Sequence, residues 1–274
     1  MTDLAVIILM KDEALHIRRC LERLAPLEPR QIFVVDCFST DGSEKIAAEM
    51  GAQVVQHGWP GLHAAQFNWA LDNLPIKAEW VLRLDADEYL YPETCAEVRN
   101  LLTDEGLPPD VTSLSLSRAR VFCGQKIRFG GTAHIPMVRF FKRGVGRCED
   151  RAMDEHIVTS EGCDWRLRGE FADDNLNSMD WWRKKHRGYA KREAADALAF
   201  ARGEVRFKRS KEVYYRFPRY FRAVLYFCIR YFLKGGFLDG KAGWMWNFWQ
   251  ALWYRWIVDR EIGKLEGKMR GTKS

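Results

Sequence analysis

The 274-residue sequence has no Gly-x-Gly-x-x-Gly after its first predicted strand and no Gly-Lys-Ser/Thr phosphate loop anywhere, which disfavours ordinary dinucleotide and P-loop chemistry. Its seven cysteines are an odd number, widely scattered and without a Cys-x-x-Cys pair, so neither a disulfide framework nor a zinc knuckle is expected, and they read as reduced thiols that mostly fill the core. The longest charge-free run in the aromatic C-terminal third, Ala242 to Tyr254, has thirteen residues, short of the roughly 20 that cross a bilayer. Met1 to Met10 lacks a basic stretch followed by an apolar stretch and a cleavage site, and a cytoplasmic protein is the expectation. Internal repeats and low-complexity segments are absent too.

What is present is a division of charge. Residues 1–110 carry 9 Lys/Arg against 19 Asp/Glu, and the rest carries 34 against 18, so a net of −10 is followed by a net of +16. An acidic half suits a divalent cation, and a basic half suits phosphate-bearing partners: nucleotide, nucleic acid or anionic lipid.

The first hundred residues alternate short β-branched runs with helical spacing, the pattern of βαβ units in an α/β fold with a largely parallel sheet. LAVIILM (4–10), QIFVVD (31–36), Ala52–Gln56 and EWVLRL (79–84) read as four strands. Between them, Glu13–Leu24 reads as a helix with Leu15, Cys20, Leu21 and Leu24 on its apolar side, and Ser39 or Thr40 is expected to cap a helix running to Met50. After the loop at 104–110 come shorter strands, and from Met179 onward the pattern is helical. Between Val213 and Val258 lie 17 of the 36 aromatics, interleaved with Arg and Lys. Trp246, Trp249, Trp253 and Trp256, and earlier Tyr220, Val224, Phe227 and Tyr231, fall at helical spacing, so each set forms a stripe that either packs inward or meets a membrane interface.

Ligands of an open parallel sheet bind beyond the carboxyl ends of its strands. The exits here are polar: Lys11, Asp12 and Glu13 after the first strand, Asp36, Cys37, Ser39 and Asp41 after the second, and Asp85, Asp87 and Glu88 after the fourth. Asp85-Ala86-Asp87 is the most informative triplet. Two carboxylates leaving a buried strand suit Mg²⁺ or Mn²⁺, which complete their shells with substrate phosphates, although the same triplet also serves as turn chemistry.

The runs LAVIILMKDEALHIRRCLERL, IFVVDCFSTDGSEKIA, HGWPGLHAAQFNWAL and EWVLRLDADEYL, in this order, resemble the nucleotide-sugar-binding half of glycosyltransferase family 2, with its GT-A fold, in the manner of bacterial enzymes that extend lipopolysaccharide core or exopolysaccharide. The resemblance covers roughly residues 3–100 and departs from the family pattern at Asp12, Cys37 and Phe67. It implies a Rossmann-like, mostly parallel sheet flanked by helices, with a GT-A domain over 1–205 (donor half 1–104, acceptor half 105–205) and an amphipathic, membrane-associating helical region over 206–274. It implies Asp87 and Asp85 as the metal-binding Asp-x-Asp, and Lys11, Glu13, Asp36, Ser39, Asp41, Gln66, Asn68, Asp85 and Ala86 as donor-binding. Glu155, with Asp154 beside it, resembles the catalytic base. His156, Lys185, His186 and Tyr189 are candidates for phosphate or acceptor contact. LKGGFLDGKAG (233–243) resembles a segment preceding the final helix of such enzymes.

The expected activity is metal-dependent, inverting transfer from a nucleotide-sugar, a UDP-sugar, to a lipid-linked glycan, at the anionic inner face of the bacterial inner membrane and without nucleic acid as a partner. Two rivals are a sugar-phosphate nucleotidyltransferase, which would carry a Gly-rich basic loop after the first strand, and a basic, aromatic nucleic-acid-binding protein, which the acidic first half opposes.

Overall fold

A computed structural model describes residues 1–103, 106–132, 136–149, 156–207 and 209–271. Two compact units are formed, one from Met1–Gly124 with His134–Leu176, the other from Gln125–Ala133 with Asn177–Ser274.

The strands in chain order are β1 (Thr2–Met10), β2 (Pro29–Asp36), β3 (Gln53–Gln56), β4 (Trp80–Asp85), β5 (Glu88–Leu90), β6 (Val111–Phe122), β7 (Gln125–Ile127, in the second unit), β8 (Pro136–Lys142), β9 (Gly146–Cys148), β10 (Ile157–Thr159) and β11 (Cys163–Asp174). The first unit adds helices α1 (Ile17–Leu24), α2 (Ser43–Glu49), α3 (His63–Asn73) and α4 (Pro92–Thr103). Its main sheet runs β3-β2-β1-β4-β8-β6-β11-β5. The first four strands are mutually parallel, as the βαβ pattern predicts, while β8 is antiparallel to both β4 and β6, and β5 is antiparallel to β11. A separate ribbon pairs β9 with β10.

β1 is buried on both faces, which is why its sequence is apolar without alternation. Leu4, Val6, Ile8 and Met10 meet α1 and α4 on one side, while Ala5, Ile7 and Leu9 meet Ala64, Phe67 and Ala70 of α3 on the other. The register pairs Met10 with Asp36, Leu9 with Asp85, and Asp36 with Gln56, so the carboxyl ends of β1 to β4 open on one edge.

Two local expectations are corrected. α1 begins at Ile17 and leaves Leu15 outside, because residues 11–16 form a loop at the sheet edge; its buried face is Ile17, Cys20, Leu21 and Leu24. α2 is served by Asp41 rather than Ser39 or Thr40: Ser43 donates to Asp41 Oδ1 from N (3.0 Å) and Oγ (2.6 Å). Cys20, Cys95 and Cys148 are buried, while Cys123 and Cys163 are exposed, and none of the seven is in a disulfide.

The second unit is helical: α5 (Met179–Ala201), α6 (Arg209–Arg216), α7 (Phe221–Cys228), α8 (Gly240–Asn247) and α9 (Tyr254–Gly271). α5 belongs here rather than to the preceding sheet domain, since Ala190, Ala194 and Ala197 pack against Tyr254, Ile257, Val258 and Ile262 of α9. A buried ion pair, Arg222–Asp259, joins α7 to α9. π-helical turns extend α7 over Ile229–Leu233 and link α8 to α9 over Phe248–Trp253. The second widened turn shifts the tryptophan phase. Trp246 is buried, Trp249 and Trp253 pack on Trp182 of α5, and of these four only Trp256 is exposed. No helix among the described residues is long and apolar enough to cross a membrane.

Candidate functional site

The loops after β1 and β2 are fastened to one another. Asp12 and Phe38 adopt left-handed backbone (φ 54° and 60°), a conformation that costs a non-glycine residue energy and persists where surrounding contacts impose it. The contacts are visible: Lys11 Nζ donates to the Phe38 carbonyl (2.7 Å), Asp12 N to Ser39 Oγ (2.8 Å), Thr40 N to Asp12 Oδ1 (2.8 Å) and Ala14 N to Asp41 Oδ2 (2.9 Å). Bonds from Ser43 and Ala14 hold the Asp41 carboxyl below its ordinary range against the upward push of burial.

Asp36 lies beneath this floor, fully buried, with Ser39 donating to its carboxylate from N (3.0 Å) and from Oγ. Gln66 is also fully buried: it accepts from His57 Nδ1 (2.7 Å) and donates to Cys37 Sγ (3.2 Å), while His57 stacks on Trp69 at 3.7 Å. The Asn68 amide pairs with the Cys148 main chain in both directions at 2.9 Å, which docks β9 against α3. Asp36, Gln66 and Asn68 thus spend their polar groups inside the unit. Lys11 and Asp41 are exposed at the edge, and Glu13 is partly so.

The turn out of β4 sets the carboxylates. Glu88 is buried and both its oxygens accept: Oε1 from Arg139 Nη2 (2.6 Å), Oε2 from the Asp85 amide (3.0 Å). Arg139 is itself buried, with its guanidinium 4.4 Å from the Phe171 ring centre. Burial pushes Glu88 up to about 8, with Arg139 pulling against that push. This buried pair pins the Asp85-Ala86-Asp87 turn by its first amide, with Ala86 buried at its centre.

Asp85 and Asp87 then differ. Burial would raise Asp85, but Arg83, and behind it Arg139, hold it below the ordinary carboxylate value. Burial, Asp173 and Asp85 push Asp87 up to about 6, although Asn175 Nδ2 donates to its Oδ2 at 3.0 Å. Asp85 Oδ1 is buried without any hydrogen-bond partner, 4.0 Å from Arg83 Nη2. A buried carboxylate oxygen left this way is costly unless a ligand satisfies it.

The end of β11 closes the arrangement. Asp173 pairs in register with Glu88, Asp174 N donates to the Asp87 carbonyl (3.2 Å), and Arg19 Nη1 holds Asp174 Oδ2 (2.6 Å). Leu176 N donates to His16 Nε2 (2.8 Å), so that nitrogen carries no proton, and Nδ1 must be the one that donates to Glu13 Oε2 (2.5 Å). Sequence reasoning missed Asp173, Asn175, Arg139 and the anchoring role of Glu88. Glu88 adjoins the motif and was open to inference. The other three lie 51 to 88 residues from their partners, with no spacing to announce them.

The remaining candidates lie elsewhere. His156 opens the β9–β10 ribbon, its carbonyl accepting from Glu149 N (2.9 Å). Asp154 and Glu155 fall outside the described residues. Lys185, His186 and Tyr189 belong to the second unit, where His186 stacks on Trp182 (3.5 Å) and Lys185 Nζ lies 4.7 Å from the Trp181 ring centre. Among the described residues no group of three or more His, Cys, Asp or Glu is placed to hold a metal by itself. Two carboxylates with substrate phosphates are a usual Mg²⁺ set, and the unpartnered Asp85 oxygen beside Asp87 fits that requirement.

Residues 5–111, the stretch that builds this edge, match the model for "Glycosyl transferase family 2". This segment is similar to glycosyl transferase family 2. An uncharacterized glycosyltransferase from Rickettsia prowazekii is 32% identical over 103 residues, covering 38% of this chain and 34% of that protein. A TPR repeat-containing protein from Synechococcus elongatus is 29% identical over 125 residues, 46% of this chain and 29% of that protein. The chain thus spans about a third of the length of these curated relatives. Solved structures similar to it include mannosyl-3-phosphoglycerate synthase from Rubrobacter xylanophilus (21% identity, 43% of this chain, 41% of that chain, TM-score 0.36). Another is glucosyl-3-phosphoglycerate synthase from Mycobacterium tuberculosis, in complex with Mn²⁺, UDP and glucosyl-3-phosphoglycerate (20% identity, 43% of this chain, 44% of that chain, TM-score 0.35). The matched stretch ends at residue 111, so Asp85 and Asp87 fall inside it, whereas Arg139, Asp173 and Asn175 fall beyond it.

Proposed function

We propose that this chain is a metal-dependent, inverting glycosyltransferase that moves a sugar from a UDP-sugar to a lipid-linked glycan in bacterial polysaccharide or lipopolysaccharide synthesis, working at the inner face of the inner membrane. The observation that carries the metal and donor reading is the Asp85 oxygen, buried without a hydrogen-bond partner two residues from Asp87 at the mouth of β4. Asp85 and Asp87 would hold Mg²⁺ or Mn²⁺, which when bound supplies positive charge to the departing diphosphate. Lys11, Glu13 and Asp41 line the same edge and would meet the nucleotide. Asp36, Ser39, Gln66 and Asn68, committed inside the unit, would act by keeping that edge in shape.

The reaction needs a carboxylate to take the proton from the acceptor hydroxyl as its oxygen attacks the anomeric carbon and the bond to the diphosphate breaks. Glu155, with Asp154 adjacent, is the proposed base on resemblance. A lipid-linked acceptor agrees with the basic, aromatic second unit, whose residues 206–274 carry 16 Lys/Arg against 5 Asp/Glu.

The test is a panel of nucleotide-sugars scored for thermal stabilisation with and without Mn²⁺, followed by identification of the released product. Stabilisation by a UDP-sugar only when metal is present, and release of UDP, are expected. Release of pyrophosphate, or stabilisation indifferent to metal, overturns the proposal.

A further inference from the structure

The Trp246–Trp256 stripe is mostly internal, yet the second unit shows a different apolar surface. Leu233 is 81% exposed, Phe232 and Leu238 58%, Phe221 56% and Phe237 48%. Phe232, Leu233, Phe237 and Leu238 fall within one seven-residue stretch, and the Tyr231 ring lies 5.1 Å from Phe232 and 6.2 Å from Phe237.

The corner is built to stay open. Gly235 takes left-handed backbone (φ +70°), and a Cβ on Gly236 would lie 2.5 Å from Asn247 Nδ2 and 2.9 Å from the Arg230 carbonyl. Asp239 accepts from the amides of Arg128 (3.0 Å) and Phe129 (2.8 Å), Gly130 N donates to the Lys234 carbonyl (2.9 Å), and Arg230 Nε donates to the Gly130 carbonyl (2.5 Å). With the backbone clamped at both ends, Leu233 and its neighbours have no local route to burial. The Gly-rich run 233–243 thereby acquires a physical role.

We propose that this corner, Phe232–Leu238, is the wedge by which the second unit enters an anionic membrane surface. The inference rests on the membrane reading above and deepens it by naming the contact. Charge selects the occupant. Lys234 lies within the wedge and Lys241 just beyond it, both exposed, in a region carrying an excess of eleven positive charges over residues 206–274. Lysine is depleted in the cores of protein interfaces, whereas beside exposed aromatics its stem lies along apolar surface and its ammonium reaches headgroup phosphates. No span is required, and none is present among the described residues.

The experiment is co-sedimentation of the full chain with vesicles of phosphatidylcholine alone or with one third phosphatidylglycerol. Wild type should bind the anionic vesicles and release them in high salt. Leu233→Asp with Leu238→Asp should weaken partition at least tenfold, while Val205→Asp, an exposed apolar position outside the wedge, leaves it unchanged. Metal-dependent UDP binding, measured on the same preparations, should be equal in all of them and reports folding. Wild-type partition that the double variant matches overturns the wedge and leaves the membrane reading standing. Absence of wild-type partition overturns both while the UDP measurement judges the glycosyltransferase reading separately. A wild-type dimer that Leu233→Asp dissolves, without vesicle binding, assigns the corner to a second copy and overturns the proposal.

Discussion

Arg139→Met tests the support beneath the Asp85-Ala86-Asp87 turn. Arg139 and Glu88 are 5% and 4% exposed and meet at 2.6 Å, so removing the guanidinium strands a carboxylate that retains only the Asp85 amide. Breaking a buried pair from one side costs about 3–5 kcal/mol. The loss carries a pH signature. In the variant, Glu88 in the folded state titrates well above its unfolded value, so the folded form binds its proton more tightly. Wild-type Glu88 is itself raised to about 8, so the deficit relative to wild type is level below that value and grows by about 1.4 kcal/mol per pH unit above it until the variant's higher folded value is passed. Adding Glu88→Gln removes the stranded charge and should recover most of the loss. Hydrogen exchange of β1 and β4 amides in increasing urea, at pH 7 and pH 9, reads the unit that contains the pair. A deficit below about 1 kcal/mol, or one equal at both pH values, would refute the reasoning.

Other outcomes follow from the same geometry. Because burial and neighbouring carboxylates push Asp87 up to about 6, a proton competes with the cation there: Mn²⁺ affinity in the presence of UDP, followed by calorimetry, should fall by nearly tenfold per unit below pH 6 and level off above pH 7. The same shift makes ionised Asp87 a burden on the metal-free protein, one absent below the unfolded value near 3.8 and complete above 6, so Asp87→Asn should raise the thermal midpoint by several degrees at pH 7.5 and hardly at all at pH 4. Asn175→Ala removes the 3.0 Å bond to Asp87 and should weaken metal-dependent UDP binding severalfold in calorimetry while leaving the midpoint within about 2 °C. Gly236→Ala forces a Cβ against Asn247 Nδ2 and the Arg230 carbonyl, and about 1–3 kcal/mol should be lost from the second unit, read by exchange of α7 and α8 amides.

Much of the first unit was legible because its signals are local. Apolar runs ending in carboxylates mark β1, β2 and β4, and the parallel register then brings Met10, Asp36 and Asp85 to one edge without further information. What escaped is non-local. Nothing in the composition of β11 announces that Asp173 and Asn175 fold back on Asp87, or that Arg139 of β8 reaches Glu88. Asp36, Gln66 and Asn68 are polar residues in a motif, and sequence alone does not separate those that face a ligand from those that tie loops together. The tryptophan stripe packs mostly inward, one of its two expected readings, with Trp256 the exception: helical spacing assumes an unbroken α-helix, and a π-helical turn spans Phe248–Trp253.

The account stands most directly on titration of UDP into the protein with Mn²⁺, with EDTA, and with Mn²⁺ in the Asp87→Ala variant. Saturable binding with Mn²⁺ that disappears both in EDTA and in the variant is predicted, with the variant's amide exchange in β1 and β4 intact. Equal UDP affinity in all three titrations would contradict it.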